Sequence, residues 1–137
     1  MRRIMLCIDD EALILLSLAE ELQGYFGQDF AYETATSGEE ALEIIDTAAL
    51  EGDRIAVIVS DLLMPGMRGD ELLAKLAERR LSIPTILLTG HADPEVLEGM
   101  KVKSGVTAYL RKPWVGEDLE RLVRGCLEVA DREQGGR

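Results

Sequence analysis

The chain has 137 residues, 47% of them apolar, which suits one domain with a full core and is too apolar for a disordered tail. A net charge of −11 repels nucleic acid phosphates and anionic membranes, so neither is expected as a direct partner, whereas a divalent cation or a basic protein surface is. No apolar run has the length of a membrane span, and Ile4 to Ile8 is too short for a signal-peptide core, so a cytoplasmic protein is expected.

Short β-rich runs alternate with helical patterns. Ile4 to Ile8 predicts a first strand. From Asp10 to Phe26, Leu15, Leu18, Ala19, Leu22 and Phe26 recur at helical spacing. Ala31 to Thr36 predicts a second, more polar strand. Ser37 then caps a helix from Gly38 to Leu50, with Glu40 as capping-box partner. Ala56 to Ser60 is nearly all apolar and predicts the third strand. Gly69 to Arg80 reads as a helix and Pro84 to Leu88 as the fourth strand. A fourth helix starts with Asp93 as N-cap and Pro94 in its first turn, and Gly105 ends it. Thr107 to Arg111 form the fifth strand. Glu117 to Ala130 close the fold as an amphipathic helix through Leu119, Leu122, Val123, Cys126 and Leu127. The domain is thus expected over 1–130, with 131–137 a polar, Gly-rich flexible tail or linker remnant. Cys7 and Cys126 fall in apolar patterns far apart, as buried thiols rather than a disulfide.

Five βα units in strict alternation argue for an α/β fold with a parallel sheet covered by helices on both faces. Such folds bind ligands beyond the carboxyl ends of their strands. Asp9, Asp10 and Glu11 follow the first strand, Asp61 the third, Thr89-Gly90-His91 the fourth, and Arg111-Lys112-Pro113 the fifth.

Acids from two strand ends converging in one shallow pocket need a positive charge among them, and the candidates are a metal ion and Lys112. Oxygen ligands with room for water suit Mg²⁺, with Mn²⁺ as an alternative, and no His/Cys cluster suggests zinc. A carboxylate beside such an ion can attack phosphorus and form an aspartyl-phosphate. Lys112 would contact one phosphoryl oxygen and the Thr89 hydroxyl another. Each feature has an ordinary explanation taken alone. Asp10 can be a helix N-cap, Thr89 a plain strand residue, and Lys112 a solvated lysine. Their conjunction at four strand ends, in complementary chemical types, is what points to phosphoryl chemistry.

The set Asp9-Asp10-Glu11, Asp61-x-x-Met64-Pro65-x-Met67-x-Gly69, Thr89-Gly90 and Lys112-Pro113 resembles the receiver domain of two-component response regulators, over about Arg3 to Val129. The resemblance implies a three-layer flavodoxin-like (βα)5 fold with strand order 2-1-3-4-5. It implies Asp61 as phospho-acceptor, Asp10 as direct Mg²⁺ ligand, Asp9 as a ligand acting largely through water, and the Leu63 backbone carbonyl as the third protein ligand. Thr89 and Tyr109 match the switch pair, Lys112 the phosphoryl-contacting lysine, and Lys112–Pro113 a cis peptide. The implied partners are a sensor histidine kinase or histidine phosphotransfer protein and a downstream protein effector, with phosphorylation-dependent homodimerisation common in the family. The chain would catalyse its own phosphorylation and dephosphorylation without being a conventional enzyme. The charge on Asp61 would draw in Thr89, turn Tyr109 inward and reshape the surface of the fourth helix, fifth strand and fifth helix.

Two variable positions, Leu63 and His91, are expected to shield the acyl phosphate and slow its hydrolysis. Trp114 is expected to cover the start of the last helix, the alternative being part of a partner surface. The phrases "TGHAD" and "KPW" look like receivers joined to HD-GYP phosphodiesterases or found in hybrid kinases. Other readings are a phosphorelay intermediate that passes phosphate to a histidine phosphotransfer protein and, from a different class, an aspartyl-nucleophile phosphatase. The latter places its nucleophile after strand one in an Asp-x-Asp pattern that Asp9-Asp10-Glu11 does not match.

Overall fold

The computed structural model describes residues 1–90 and 108–135, with side chains to Val129 in the last helix. Five strands, β1 (Arg3–Ile8), β2 (Ala31–Ala35), β3 (Arg54–Asp61), β4 (Thr85–Thr89) and β5 (Ala108–Arg111), form one parallel sheet in the order β2-β1-β3-β4-β5. The described helices are α1 (Ala12–Phe26), α2 (Gly38–Leu50), α3 (Gly69–Glu78) and the C-terminal α4 (Gly116–Gly135). This is the three-layer, flavodoxin-like arrangement expected. The helix expected from Asp93 to Gly105, together with His91 and Thr107, lies outside the described residues. No helix of the described residues is long and apolar enough to cross a membrane.

Alternation along the strands divides the core. Ile4, Leu6, Ile8, Ile58 and Leu87 pack with Ile45 of α2 and Leu72, Leu73 and Leu76 of α3. Met5, Cys7, Val57, Val59, Ile86, Leu88 and Leu110 pack with Leu15, Leu18 and Leu22 of α1 and Leu119, Val123 and Cys126 of α4. So α1 and α4 share one face of the sheet, and α2 and α3 the other. Both cysteines are free and buried, and burial pushes the Cys7 thiol up to about 12 and that of Cys126 up to about 11. Both stay protonated and inert at neutral pH.

Several local expectations change. The cap position of α1 is Glu11, with no side-chain cap, so Asp10 is not a helix cap; instead Asp9 Oδ1 accepts the Glu11 N–H at 2.9 Å. Ser37 Oγ accepts the Glu40 N–H as expected, but the Glu40 carboxylate reaches one residue further back, to the Thr36 N–H at 2.8 Å. α3 stops at Glu78 because Arg80 turns left-handed, with φ 58°, a common helix terminator. The C-terminal helix passes Ala130 and runs to Gly135. Apolar spacing marks only the packed part of a helix, while Arg, Glu and Gln propagate it further at little cost.

Candidate functional site

Sheet register brings the chemistry to one edge. Ile8 pairs with Ser60, so Asp9 leaves β1 beside Asp61 at the end of β3. Asp61 pairs with Leu88, and Thr89 with Arg111, so Thr89 and Lys112 complete the row. The carboxylate oxygens of Asp9, Asp10 and Asp61 lie within 4.8 Å of one another. Asp9 is fully buried, Asp61 nearly so, and Asp10 is exposed at the rim. The Lys112 ammonium stands 3.1 Å from Asp9 Oδ2 and 3.3 Å from Asp61 Oδ1. Thr89 is buried, and its carbonyl accepts the Lys112 backbone N–H at 2.8 Å. Tyr109 is half-buried against the α2/α3 core, opposite Leu87 and one step back from Thr89 on the same face. The Lys112–Pro113 bond is cis, as expected.

Burial raises the Asp61 carboxyl above the ordinary carboxylate value and the Asp9 charge adds to this, while Lys112 and a backbone N–H from Leu63 oppose it. Lys112 itself is raised: burial pulls it down, but its bond to Asp9 and the Asp61 charge outweigh that loss. The cluster therefore holds more negative charge than one lysine balances. Three carboxylates with no sulfur or imidazole among them are a donor set for a hard divalent cation, and they can hold a metal ion.

The loop after β3 is held from below. Met64 and Met67 are buried in the α2/α3 core, and Gly66 turns with φ 83°. Gly69 approaches the strand exit so closely that a Cβ would stand 2.7 Å from the Asp61 carbonyl and 2.9 Å from Leu87 Cδ2. Its N–H donates to the Leu62 carbonyl at 2.8 Å. The Leu63 side chain, by contrast, is 60% exposed.

A family model described as the response regulator receiver domain matches residues 5–124. The chain belongs to the response regulator receiver domain family. A receiver is the phospho-accepting module of a two-component system, a signalling protein that works with histidine kinases and effector domains. This receiver is 36% identical over 125 residues to the C4-dicarboxylate transport transcriptional regulatory protein DctD of Pseudomonas aeruginosa, covering 90% of this chain and 25% of that one. It is 32% identical to the transcriptional regulatory protein FixJ of Bradyrhizobium diazoefficiens, covering 90% of this chain and 56% of the relative. The chain thus spans between a quarter and about half the length of these regulators. Among solved structures, a response regulator receiver domain protein from Clostridium thermocellum superposes with a TM-score of 0.80 at 28% identity, covering 94% of this chain and 97% of that one.

Each expected site residue among the described ones falls at the receiver's acidic edge or directly behind it. Glu21 of α1 was not foreseen: it accepts a hydrogen bond from the Trp114 indole at 2.6 Å. No short-range sequence pattern marks a contact between residues this far apart.

Proposed function

We propose that Asp61 accepts a phosphoryl group from the phosphohistidine of a sensor histidine kinase or histidine phosphotransfer protein. What carries the reading is one contact set: the Asp61 carboxylate, at the carboxyl end of a buried strand, faces the Lys112 ammonium at 3.3 Å with two further acids beside it. An Asp61 oxygen attacks phosphorus, the P–N bond of the donor breaks, and the electron pair leaves with the imidazole. The Lys112 ammonium meets one phosphoryl oxygen, and the Thr89 hydroxyl donates to another. Asp9, Asp10, Asp61 and the Leu63 carbonyl would hold Mg²⁺ or Mn²⁺, which supplies positive charge against the transferring group and orients its oxygens. Water later hydrolyses the acyl phosphate.

Thr89 and Tyr109 form the switch. Thr89 moves toward the phosphoryl group, and Tyr109 turns into the space it leaves. The surface around β5 and the C-terminal helix changes, and a downstream protein effector reads it. The test is intact-mass measurement after incubation with Mg²⁺ and acetyl phosphate. The wild-type chain gains one phosphoryl group, and neither Asp61→Asn nor a chelated sample does. A gain that persists in Asp61→Asn, or maps to Asp9, overturns the assignment.

A further inference from the structure

We propose that Trp114 and Glu21 are positioning residues for Lys112: their hydrogen bond holds the loop after β5 across the sheet edge, so that the lysine stands over Asp9 and Asp61. The inference rests on the reading of Lys112 as the phosphoryl contact at Asp61.

The strand order sets the problem. From β5 to β1 is three strand steps, roughly 14 Å at the usual spacing of ~4.8 Å. A lysine's four-carbon stem reaches about half of that. Yet the Lys112 ammonium sits 3.1 Å from Asp9, the residue that leaves β1. The span is met only if both side chains are near full extension, and the loop that carries Lys112 faces α1, which packs on the same face of the sheet as α4. On its N-terminal side, Lys112 is tied by its own N–H to the Thr89 carbonyl at 2.8 Å. That bond holds it to β4 and does nothing to bring it further.

Two contacts on its C-terminal side do, and both are to α1. The half-buried Trp114 indole N–H donates to Glu21 Oε2 at 2.6 Å, a bond strengthened by the carboxylate charge. Gly116 lies so close that a Cβ there would stand 2.8 Å from the Tyr25 hydroxyl and 3.4 Å from Glu21 Oε1. Ile14, Ser17 and Glu21, at helical spacing on α1, face Lys112, Pro113 and Trp114 across a groove of about 420 Å³. Lys112 is itself part of the groove's lining. Its rotamer freedom is among the largest of any side chain, so a tethered loop lowers the ordering left to do when the phosphoryl group arrives.

The experiment uses the full chain, acetyl phosphate and saturating Mg²⁺, with melting temperatures recorded for each variant. Trp114→Phe keeps a ring and removes the donor, Glu21→Leu removes the acceptor, and Glu21→Gln keeps an acceptor oxygen. The phosphorylation rate is expected to fall about tenfold in the first two and to stay within about threefold of wild type in Glu21→Gln, the scale of a hydrogen bond to a charged group. In a Lys112→Ala background, Trp114→Phe is expected to cost nothing further, because its effect passes through the lysine. An activity-free readout accompanies this. In isotope-labelled, metal-free protein, the two Lys112 Hε protons are expected to be inequivalent in wild type and to average in Trp114→Phe and Glu21→Leu.

A Trp114→Phe rate equal to wild type overturns the proposal, as does a loss undiminished without Lys112 or unchanged Hε inequivalence. If the wild type takes no phosphoryl group on Asp61, the parent reading falls and this one with it. If the wild type does so and Trp114→Phe matches it, only the positioning role falls.

Discussion

The Lys112 ammonium and the Asp9 carboxylate lie 3.1 Å apart across a sequence separation of 103 residues. Asp9 is fully buried and Lys112 mostly so, which makes this pair the counterweight to the crowded acids. Removing one partner of a buried pair costs more than the pair contributes, because a bare charge is left behind. Lys112→Ala is therefore expected to lower stability by about 3 kcal/mol in metal-free buffer. Added Mg²⁺ is expected to recover part of that loss, since a cation can take the place of the ammonium. Urea unfolding with and without Mg²⁺ checks both, and equal Mg²⁺ responses in wild type and variant would count against the competition.

The raised Asp61 carboxyl gives a pH dependence whose sign is opposite to that of an ordinary paired carboxylate. A group whose folded pKa lies above its unfolded one contributes stability that is present below the unfolded value and lost as pH rises through the folded value. Near neutral pH the ionised Asp61 therefore costs stability. Asp61→Asn is expected to be more stable than wild type at pH about 7, with the advantage shrinking as pH falls through the carboxylate range. Unfolding curves at several pH values check this; a variant less stable than wild type at neutral pH would refute it. Protons also compete with a cation for the same oxygens, so metal affinity is expected to weaken over the same acid range.

Gly69→Ala is expected to destabilise the domain by about 1–3 kcal/mol, the usual scale of overpacking. Its Cβ would meet the Asp61 carbonyl at 2.7 Å and the Leu62 Cα at 3.2 Å, both backbone atoms that cannot swing aside. Gly38→Ala makes a milder contrast, since the atoms it meets belong to the Met67 side chain: Sδ at 2.5 Å, which can swing aside, and Cβ at 2.9 Å, which yields only with the Met67 backbone. A flexible thioether yields more easily. Denaturation midpoints are expected to rank wild type above Gly38→Ala above Gly69→Ala, and phosphorylation to suffer most in Gly69→Ala because the collision moves the acceptor's own backbone.

Leu63, two residues past the acceptor, presents a 60% exposed apolar side chain beside the site. On the phospho-acceptor reading, it shields the acyl phosphate from water. Leu63→Asn is expected to hasten dephosphorylation severalfold, on the order of 1 kcal/mol of barrier, while leaving the phosphorylation rate near wild type. Decay of the phosphorylated mass after donor removal measures it directly, and an unchanged lifetime would remove Leu63 from any shielding role.

Much of this was legible in short windows of the chain. The apolar run of β3 ending on Asp61, the Ser37 cap and the alternation of strand and helix patterns are local features, each set by propensity, periodicity or turn chemistry. The family motif set added the order of the strands and the expected roles. Helix ends were read less well. Apolar spacing could not see that α3 would close on a left-handed Arg80, or that the C-terminal helix would run to Gly135.

By itself, then, the sequence determined an α/β domain with its acids, hydroxyl and lysine at the carboxyl edge, because those choices are encoded residue by residue along each element. Only the tertiary structure decided how the edge is used. Adjacent Asp9 and Asp10 part company, one fully buried against Lys112 and one exposed at the rim. Gly69 touches the acceptor's carbonyl, and Trp114 reaches Glu21 on a helix at the other end of the chain. Such contacts join residues brought together by strand order and by the packing of α1 and α4 on one face, so no local pattern could specify them.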